Sequence, residues 1–335
     1  MKTEVITALD IGTHSVKMVM VKRNEAGDAL EILGFVEEPS VGVRKGAVAN
    51  PDEVIKTIMG LKNKLEVMGG YKIDEVVISV GGNHVFVLPS RGVVAVSRAD
   101  GEVSHEDVDR VLQAAHAVSL PSNKEILEVF PQQFIVDGTG EIKEPVGMRG
   151  VRLEVDVLAV CAFTPYMKNL TDSVLGSGLE ISDIIPSSLA AAEAVLTPRQ
   201  KEMGGAVIDI GAGTTGLSVY EEGDLIHTTI LPVGAGNITN DIAIGLRTEP
   251  DTAEYIKIQH GSLSSKGKKS LKVQLSDGSE ISFSSKFLSH IIESRMKQIF
   301  QSVNKELKQI GKQGNLPAGI ILTGGGSKLP GVVDM

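Results

Sequence analysis

The chain is 335 residues long, with 33 basic and 42 acidic side chains and a net charge of −9 at neutral pH. This length exceeds the size at which one hydrophobic core keeps growing, so we expect two lobes. The acidic balance argues against a nucleic-acid groove as the main function. The single cysteine, Cys161, excludes a disulfide within the chain and is typical of a cytosolic protein. No apolar stretch reaches the ~18 residues of a membrane-spanning helix, and no signal peptide precedes the first strand.

The first eighty residues or so alternate strand and helix signals. The strands are predicted at residues 5–10, 15–21, 31–37 and 75–80. A helix is predicted from Pro51 to about Met68, with an Asn50 cap. Its apolar residues recur on one face: Val54, Ile58, Leu61, Leu65 and Met68. Alternation of this kind predicts an α/β fold.

Residues 84–162 have a periodicity of their own and are predicted to form a compact inserted subdomain. Its strands are expected at residues 85–88, 92–96, 126–136 and 152–161, with a helix at residues 104–118. Ser104 precedes Asp107 by three positions, the spacing of a helix-capping pair.

The second half of the chain repeats the alternation. Helices are predicted within 164–180, 185–196, 239–246, 250–259 and 286–310, and strands at 181–184, 217–220, 225–231, 271–275, 280–283 and 320–323. Turns are expected at Glu222-Gly223-Asp224 and at Asp277-Gly278.

Three glycine turns contain the residues that indicate a function. They are Asp10-Ile-Gly-Thr-His-Ser15, Asp209-Ile-Gly-Ala-Gly-Thr-Thr215 and Thr323-Gly-Gly-Gly-Ser327, each after an apolar strand. The first two share Asp-Ile-Gly about 200 positions apart, which indicates one task performed by two similar halves. One such turn alone is usually only a turn, but two copies and a third glycine turn favour a nucleotide site.

Glycine lets backbone N–H groups approach a phosphate without a Cβ in the way. The predicted phosphate contacts are Gly12, Thr13, His14 (through its N–H), Ser15, Lys17, Gly211, Ala212, Gly213, Thr214 and Thr215. An aspartate beside a phosphate requires a cation between them. Asp10 and Asp209 are therefore predicted to hold a hydrated Mg²⁺, which prefers carboxylate, water and phosphate oxygen.

The order of these motifs resembles the actin/Hsp70/sugar-kinase superfamily, with phosphate loops at 8–21 and 205–221, a helix at 186–196 and an adenosine loop at 319–331. Three further stretches resemble the FtsA family of bacterial cell-division proteins in particular. They are Pro131-Gln-Gln-Phe-Ile-Val-Asp-Gly138, Val146-Gly-Met-Arg-Gly-Val-Arg-Leu-Glu154 and Asn237-Ile-Thr-Asn-Asp-Ile-Ala-Ile-Gly-Leu-Arg-Thr248.

The resemblance implies an actin-like ATPase fold of two lobes with central mixed sheets and an inserted 1C subdomain. By analogy the subdomains are 1–83 (1A), 84–162 (1C), 163–200 (return to 1A and crossing helix), 201–233 (2A), 234–312 (2B) and 313–335 (2A, adenosine loop). The family continues past this point into a membrane-binding amphipathic helix, which we expect to be missing after Met335.

The resemblance also implies the ligand and the partners. ATP or ADP with Mg²⁺ would bind between the lobes, with the adenine on Gly324, Gly325, Gly326 and Ser327. Glu254 and Lys257 lie on one helical face and would contact ribose and adenine, or form only an i,i+3 ion pair. Expected partners are the FtsZ C-terminal tail at 2B, other copies in a filament, other division proteins at 1C, and the inner membrane through the missing helix.

A basic loop at residues 262–272 contains Lys266, Lys268, Lys269 and Lys272. It is either a solvated hairpin tip or a surface that steers the acidic FtsZ tail.

No catalytic residue is assigned from the sequence. In relatives that hydrolyse ATP well, a Glu or Gln near the crossing helix orients water, whereas this chain has Ile184-Ile-Pro-Ser-Ser188. Glu193 is too far inside that helix, so slow or absent turnover is predicted. Two alternatives stay open: an actin-like pilus-assembly protein, and a small-molecule phosphotransferase, which would need an Asp base beside a substrate hydroxyl.

Overall fold

The computed structural model describes residues 4–23, 29–117, 120–263, 270–274 and 280–335. The predicted turn at Asp277-Gly278 lies outside the described residues. So do Lys266, Lys268 and Lys269 of the basic loop.

The strands, in chain order, are β1 (Val5–Ile11), β2 (Ser15–Arg23), β3 (Leu30–Pro39), β4 (Val43–Arg44), β5 (Ala47–Val48), β6 (Glu75–Val80), β7 (Val85–Ala95), β8 (Lys124–Val136), β9 (Thr139–Ile142), β10 (Arg152–Phe163), β11 (Glu180–Pro186), β12 (Gly205–Ile210), β13 (Thr215–Glu221), β14 (Asp224–Leu231), β15 (Ser270–Gln274), β16 (Glu280–Ser284) and β17 (Ile320–Thr323). The helices are α1 (Pro51–Gly69), α2 (His105–His116), α3 (Thr164–Gly176), α4 (Ser187–Val195), α5 (Pro198–Met203), α6 (Ala235–Leu246), α7 (Pro250–His260) and α8 (Ser285–Gln309), with a short 3-10 helix at Gly325–Lys328.

The first lobe is a mixed five-stranded sheet in the order β11-β6-β1-β2-β3. Helix α1 covers it because its apolar residues share one face, and Val54, Ile58, Leu61 and Leu65 are buried as predicted. Met68, predicted on the same face, is 57% exposed. It lies in the last turn of α1 at the edge strand, beyond most of the sheet.

The insert, β7 to β10 with α2, forms an antiparallel sheet in the order β7-β10-β8-β9. The prediction of two short strands before α2 is wrong, because β7 runs unbroken in register with β10. Pro89 is tolerated within it since β7 is an edge strand. Gly92 admits the backbone of α2, as a Cβ there would lie 2.1 Å from the Val111 carbonyl oxygen. The predicted Ser104–Asp107 capping box is confirmed.

The second lobe contains a mixed sheet in the order β14-β13-β12-β17. Helices α6 and α8 pack on each other. Together with the sheet they form the hydrophobic core of the second lobe, which includes Ile208, Ile210, Leu288 and Ile292. Helix α4 contacts both β11 of the first sheet and β12, β13 and β14 of the second, so it joins the two lobes.

Hydroxyl contacts secure α4 against the second sheet. Ser218 Oγ donates to the Ser188 carbonyl oxygen at 3.0 Å, and the Ser188 and Thr228 hydroxyls lie 2.9 Å apart. In the described part of the chain, no helix is long and apolar enough to cross a membrane.

Candidate functional site

The two Asp-Ile-Gly motifs form the same turn in the two lobes. In the first glycine loop, residues 10–15 between β1 and β2, the Gly12 N–H donates to the Ser15 carbonyl oxygen at 3.1 Å. In the second glycine loop, residues 209–214 between β12 and β13, the Gly211 N–H donates to the Thr214 carbonyl oxygen at 2.9 Å. The sequence duplication is thus a structural duplication.

The two glycine loops lie against each other across the boundary between the lobes. A Cβ on Gly213 would lie 2.4 Å from Thr13 Oγ1 and 2.9 Å from the Cα of Lys45. The Gly46 N–H donates to the Thr13 hydroxyl at 2.8 Å. The β4–β5 hairpin, whose Lys45 has a left-handed φ of 50°, therefore touches both loops.

A cleft of about 1010 Å³ opens between the lobes at these loops. All but one of the predicted site residues line it: Asp10, Gly12, Thr13, His14, Ser15, Lys17, Asp209, Gly211, Ala212, Gly213, Thr214, Glu254, Lys257, Gly324, Gly325, Gly326 and Ser327. The structure thereby brings together four stretches that are separated along the chain.

Thr215 is the predicted residue that lies elsewhere. Its side chain is buried and its hydroxyl donates to the Val233 carbonyl oxygen at 2.8 Å. Thr215 is the first residue of β13 and corresponds to Val16, which is also buried, at the start of β2. The strand pleat directs this position into the core, so its hydroxyl satisfies the backbone instead of facing the cleft.

The amino terminus of α6 fixes the second glycine loop. The Ala235 and Gly236 N–H groups each donate at 2.8 Å to the carbonyl oxygens of Gly211 and Ala212. A Cβ on Gly234 would lie only 2.5 Å from the Gly211 oxygen. Helix α6 begins at Ala235, four residues before the predicted start at residue 239. The predicted start is late because Gly234 and Gly236 resemble helix breakers. They permit close approach of the helix to the loop.

Asp10 and Asp209 occupy matching positions but have different surroundings. Asp10 pairs across the ladder with Lys17 and accepts a hydrogen bond from Ser79 Oγ at 2.5 Å. Asp209 pairs with Gly216, which brings no charge. Burial raises the pKa of Asp209 and the negative charge of Asp10 raises it further, while Lys17 lowers it. Asp209 is thus a buried carboxylate whose cross-strand neighbour brings no charge.

Asp10 and Asp209 fit a hydrated cation whose remaining coordination positions are filled by a bound ligand. Within the described residues, no group of three or more His, Cys, Asp and Glu side chains could hold a metal ion. Two carboxylates are, however, the protein contribution that Mg²⁺ commonly uses when water and phosphate complete its shell.

Glu254 and Lys257 line the cleft and also pair with each other, with Lys257 Nζ 2.7 Å from Glu254 Oε2. The buried Lys257 ammonium donates to the Thr239 hydroxyl at 2.9 Å, and this hydroxyl donates to Glu254. Burial acts to raise the pKa of Glu254, but the hydrogen bonds from Lys257 and Thr239 outweigh it and lower the pKa. Glu254 and Lys257 therefore form the i,i+3 ion pair at the wall of the cleft, and their contact with ribose and adenine stays a prediction.

The third glycine turn closes the cleft beyond β17. Gly324 has a left-handed φ of 80°, and a Cβ there would lie 2.3 Å from Asp209 Oδ1. The Ser327 hydroxyl donates to the Gly324 carbonyl oxygen at 2.8 Å. Ser327 lies in the short 3-10 helix Gly325–Lys328. Gly324 thus allows this turn to reach the second glycine loop.

Several residues of the cleft belong to none of the sequence motifs: Phe35, Glu37, Gly46, Gly81, Ala235, Gly236 and Ile258. Most of them lie within strands or helices, where the sequence pattern indicates secondary structure and gives no sign of a binding site. The turn Arg44-Lys45-Gly46 is the one visible clue, as a basic glycine turn between short apolar runs.

Solved structures with the same architecture define the class. A chain of the PilM–PilN type IV pilus biogenesis complex matches with a TM-score of 0.69 at 18% identity, over 98% of this chain and 84% of that one. MreB5 of Spiroplasma citri bound to AMPPNP matches with a TM-score of 0.58 at 16% identity, over 99% of this chain and 87% of that one. The fold is the two-lobed actin-like ATPase fold, with an insert in the first lobe.

Sequence similarity then identifies the family. A profile of the SHS2 domain inserted in FtsA matches residues 82–161, and a profile of the cell division protein FtsA matches residues 206–335. The FtsA proteins of Pseudomonas aeruginosa and Bacillus subtilis are each 37% identical over 99% of this chain, which spans 80% and 76% of their lengths. The chain belongs to the FtsA family of cell division proteins.

Proposed function

We propose that this chain binds ATP with Mg²⁺ in the cleft and acts as a nucleotide-dependent switch. The observation that supports this most strongly is the pair of equivalent Asp-Ile-Gly turns that face one cleft from opposite lobes. The AMPPNP bound to the structurally similar MreB5 supports the same class of ligand.

Each group in the cleft has a role in this proposal. Backbone N–H groups and hydroxyls of the two glycine loops bind the phosphates, with Lys17 as a point charge. Asp10 and Asp209 hold Mg²⁺, which neutralises the phosphates beside them. The glycine turn 324–327 supports the adenine, and the Glu254–Lys257 pair contacts the ribose and adenine.

Turnover is proposed to be slow or absent. Ser187 is the residue of α4 that lines the cleft, and a hydroxyl orients water less effectively than a carboxylate or amide. The Ser188 hydroxyl is paired with that of Thr228. Glu193 is bound to Lys201 at 2.5 Å, outside the cleft. No residue of the crossing helix is therefore assigned as a catalytic base.

The cellular role is proposed from family membership. ATP binding sets the angle between the lobes and favours self-association into filaments. Residues 234–312 receive the FtsZ C-terminal tail, the insert contacts other division proteins, and a family C-terminal helix links the assembly to the inner membrane. In the described residues of 2B, Lys272 is paired with Glu280 at 2.6 Å, so it is not an isolated charge for an acidic tail.

Sedimentation with and without Mg-ATP, combined with phosphate release, tests the proposal. We expect pelleting that requires Mg-ATP and phosphate release far slower than assembly. Rapid ATP-dependent phosphorylation of a small-molecule acceptor would instead identify a phosphotransferase and contradict the proposal.

A further inference from the structure

The insert packs against the second lobe at strand β14. Strand β14 lies against β7, β8 and β10 of the insert. One hydrophobic core contains Leu158 and Val160 of the insert together with Tyr220, Leu225 and Ile230 of the second sheet. The insert therefore contacts both lobes, although it is covalently attached only to the first.

A polar contact sits at the edge of this apolar interface. The Lys143 ammonium, just after β9, donates to Asp224 and lies 3.7 Å from Glu222 Oε2. The Gln132 side chain donates to the Leu225 carbonyl oxygen at 2.9 Å. The hydrogen bond from Lys143 to Asp224 raises the pKa of Lys143, as expected for a retained ion pair. We call these five residues the latch.

Both sides of the latch are built by irregular backbone. In β8 the ladder to β10 shifts register at Asp156/Val157, which leaves Gln132 as the extra, bulged residue. On the second lobe, Glu222 and Gly223 have left-handed φ values of 51° and 84°, as a tight hairpin turn requires. Bulges and tight turns redirect side chains, and here they direct them at each other.

Strand β13 connects the latch rigidly to the cleft. It begins at Thr215, immediately after the second glycine loop, and ends at Glu221, immediately before the hairpin tip. Its residues are buried except for Glu221, whose carboxylate is bound by Lys312 at 2.5 Å. A strand of this length spans roughly 20 Å. A rotation of the second lobe must therefore move the glycine loop and the hairpin tip together.

We propose that the latch couples occupation of the cleft to the position of the insert. The inference rests on the proposed nucleotide binding. The latch is formed in the arrangement in which the two glycine loops touch through Thr13 and Gly213. A rotation of the second lobe that separates the glycine loops also moves the hairpin tip relative to the insert, so a ligand that holds the loops together also stabilises the latch. Linkage is reciprocal, and breaking the latch must weaken that ligand.

The first arm of the test needs no nucleotide. Hydrogen exchange of ligand-free protein compares wild type, Lys143→Glu, the charge exchange Lys143→Glu/Asp224→Lys, and Arg149→Glu as an equal charge change on the exposed surface of the insert. We expect faster exchange in β8 and β9 for Lys143→Glu, restored by the charge exchange and absent for Arg149→Glu. Equal exchange in all four proteins would overturn the latch.

The second arm measures Mg-ATP affinity of the same proteins by calorimetry. We expect Lys143→Glu to weaken binding on the order of threefold, the charge exchange to restore it, and Arg149→Glu to leave it unchanged. Equal or tighter binding by Lys143→Glu in a protein that binds ATP would overturn the coupling alone. Failure of every protein, wild type included, to bind Mg-ATP would overturn the proposed function and the coupling with it.

Discussion

Two aspartates at equivalent positions differ in their neighbours across the strand ladder. Asp10 faces Lys17 across the strand ladder, whereas Asp209 faces Gly216. Gly216 is itself constrained, because a Cβ there would lie 3.1 Å from Ser188 Cβ on the crossing helix. The close packing of α4 thus excludes a cationic partner at this position. An ionised Asp209 lowers stability in the absence of a cation and is suited to bind one.

The first prediction concerns the stability of ligand-free Asp209→Asn. Burial raises the pKa of Asp209 in the folded state. Between the ordinary carboxyl pKa and this raised pKa, the folded protein therefore binds more protons than the unfolded chain. Stability then decreases as pH rises from the ordinary carboxyl pKa through the raised one. We expect Asp209→Asn to melt at the same or a higher temperature than wild type at pH 7, with the difference shrinking in acid.

Thermal melting across pH measures this effect, and Asp172→Asn on the exposed surface of α3 is the matched control. The same Asp209 variant should lose its protection by Mg-ATP against heat. A clear drop in the melting temperature of the ligand-free variant would show that Asp209 serves the fold.

At the scale of single elements, the cap of α2 organises the insert. Asp107 is buried and accepts hydrogen bonds from the backbone N–H groups of Ser97 and Ser104, the Ser104 hydroxyl and the Arg110 guanidinium. Burial alone would raise the pKa of Asp107, but these hydrogen bonds outweigh it and hold the pKa far below its usual range. The Asp107 side chain thus joins the segment that follows β7, the cap and the helix.

The second prediction is that Asp107→Ala destabilises the insert by about 1–3 kcal/mol, because the helix cap and the other hydrogen bonds to this buried carboxylate are lost. The contribution of Asp107 is fully present above the ordinary carboxyl pKa and is lost as pH falls through its lowered value. Urea unfolding at pH 7 measures the loss, with the exposed Asp109→Ala on the same helix as control. Equal stability of the two variants would refute this role.

The third prediction concerns the contact between α6 and the second glycine loop. Gly234→Ala would place a Cβ 2.5 Å from the Gly211 carbonyl oxygen and displace the loop. We expect weaker Mg-ATP binding, measured by calorimetry, even where the variant stays folded. Gly60→Ala is the control, because a Cβ at this position in α1 meets nothing within 4 Å. It should stabilise α1 by about 0.5–1 kcal/mol and leave binding intact. Unchanged affinity of Gly234→Ala would contradict the contact.

Local patterns predict most elements because their causes are local. The apolar face of α1, the α2 cap and the turn Glu222-Gly223 are all visible in short windows of sequence. The unbroken β7 is not visible, because Pro89 and Gly92 break strands unless the strand lies at an edge or receives a helix. The early start of α6 is hidden for a related reason: its glycines serve a contact with residues more than twenty positions away.

At the scale of the whole molecule, the duplicated Asp-Ile-Gly motif predicts two similar halves, and the fold has them. Together with the third glycine turn and the Glu254–Lys257 pair, the motif accounts for more than half of the residues that line the cleft, but not for Glu37, Gly46 or Gly81. The sequence does not predict that the β4–β5 hairpin touches both glycine loops, or that the insert contacts β14. Those contacts join residues far apart in the chain, and the hydrophobic periodicity of the sequence reports only local structure.

We propose above all that the two glycine loops together bind one polyphosphate through a cation. Calorimetric titration of the protein with ATP, in the presence of Mg²⁺ and again with the cation chelated, tests it most directly. We predict one site per chain, strong dependence on Mg²⁺, and loss of that dependence in Asp209→Asn. Binding of equal affinity with and without Mg²⁺, or the absence of binding, would contradict the account.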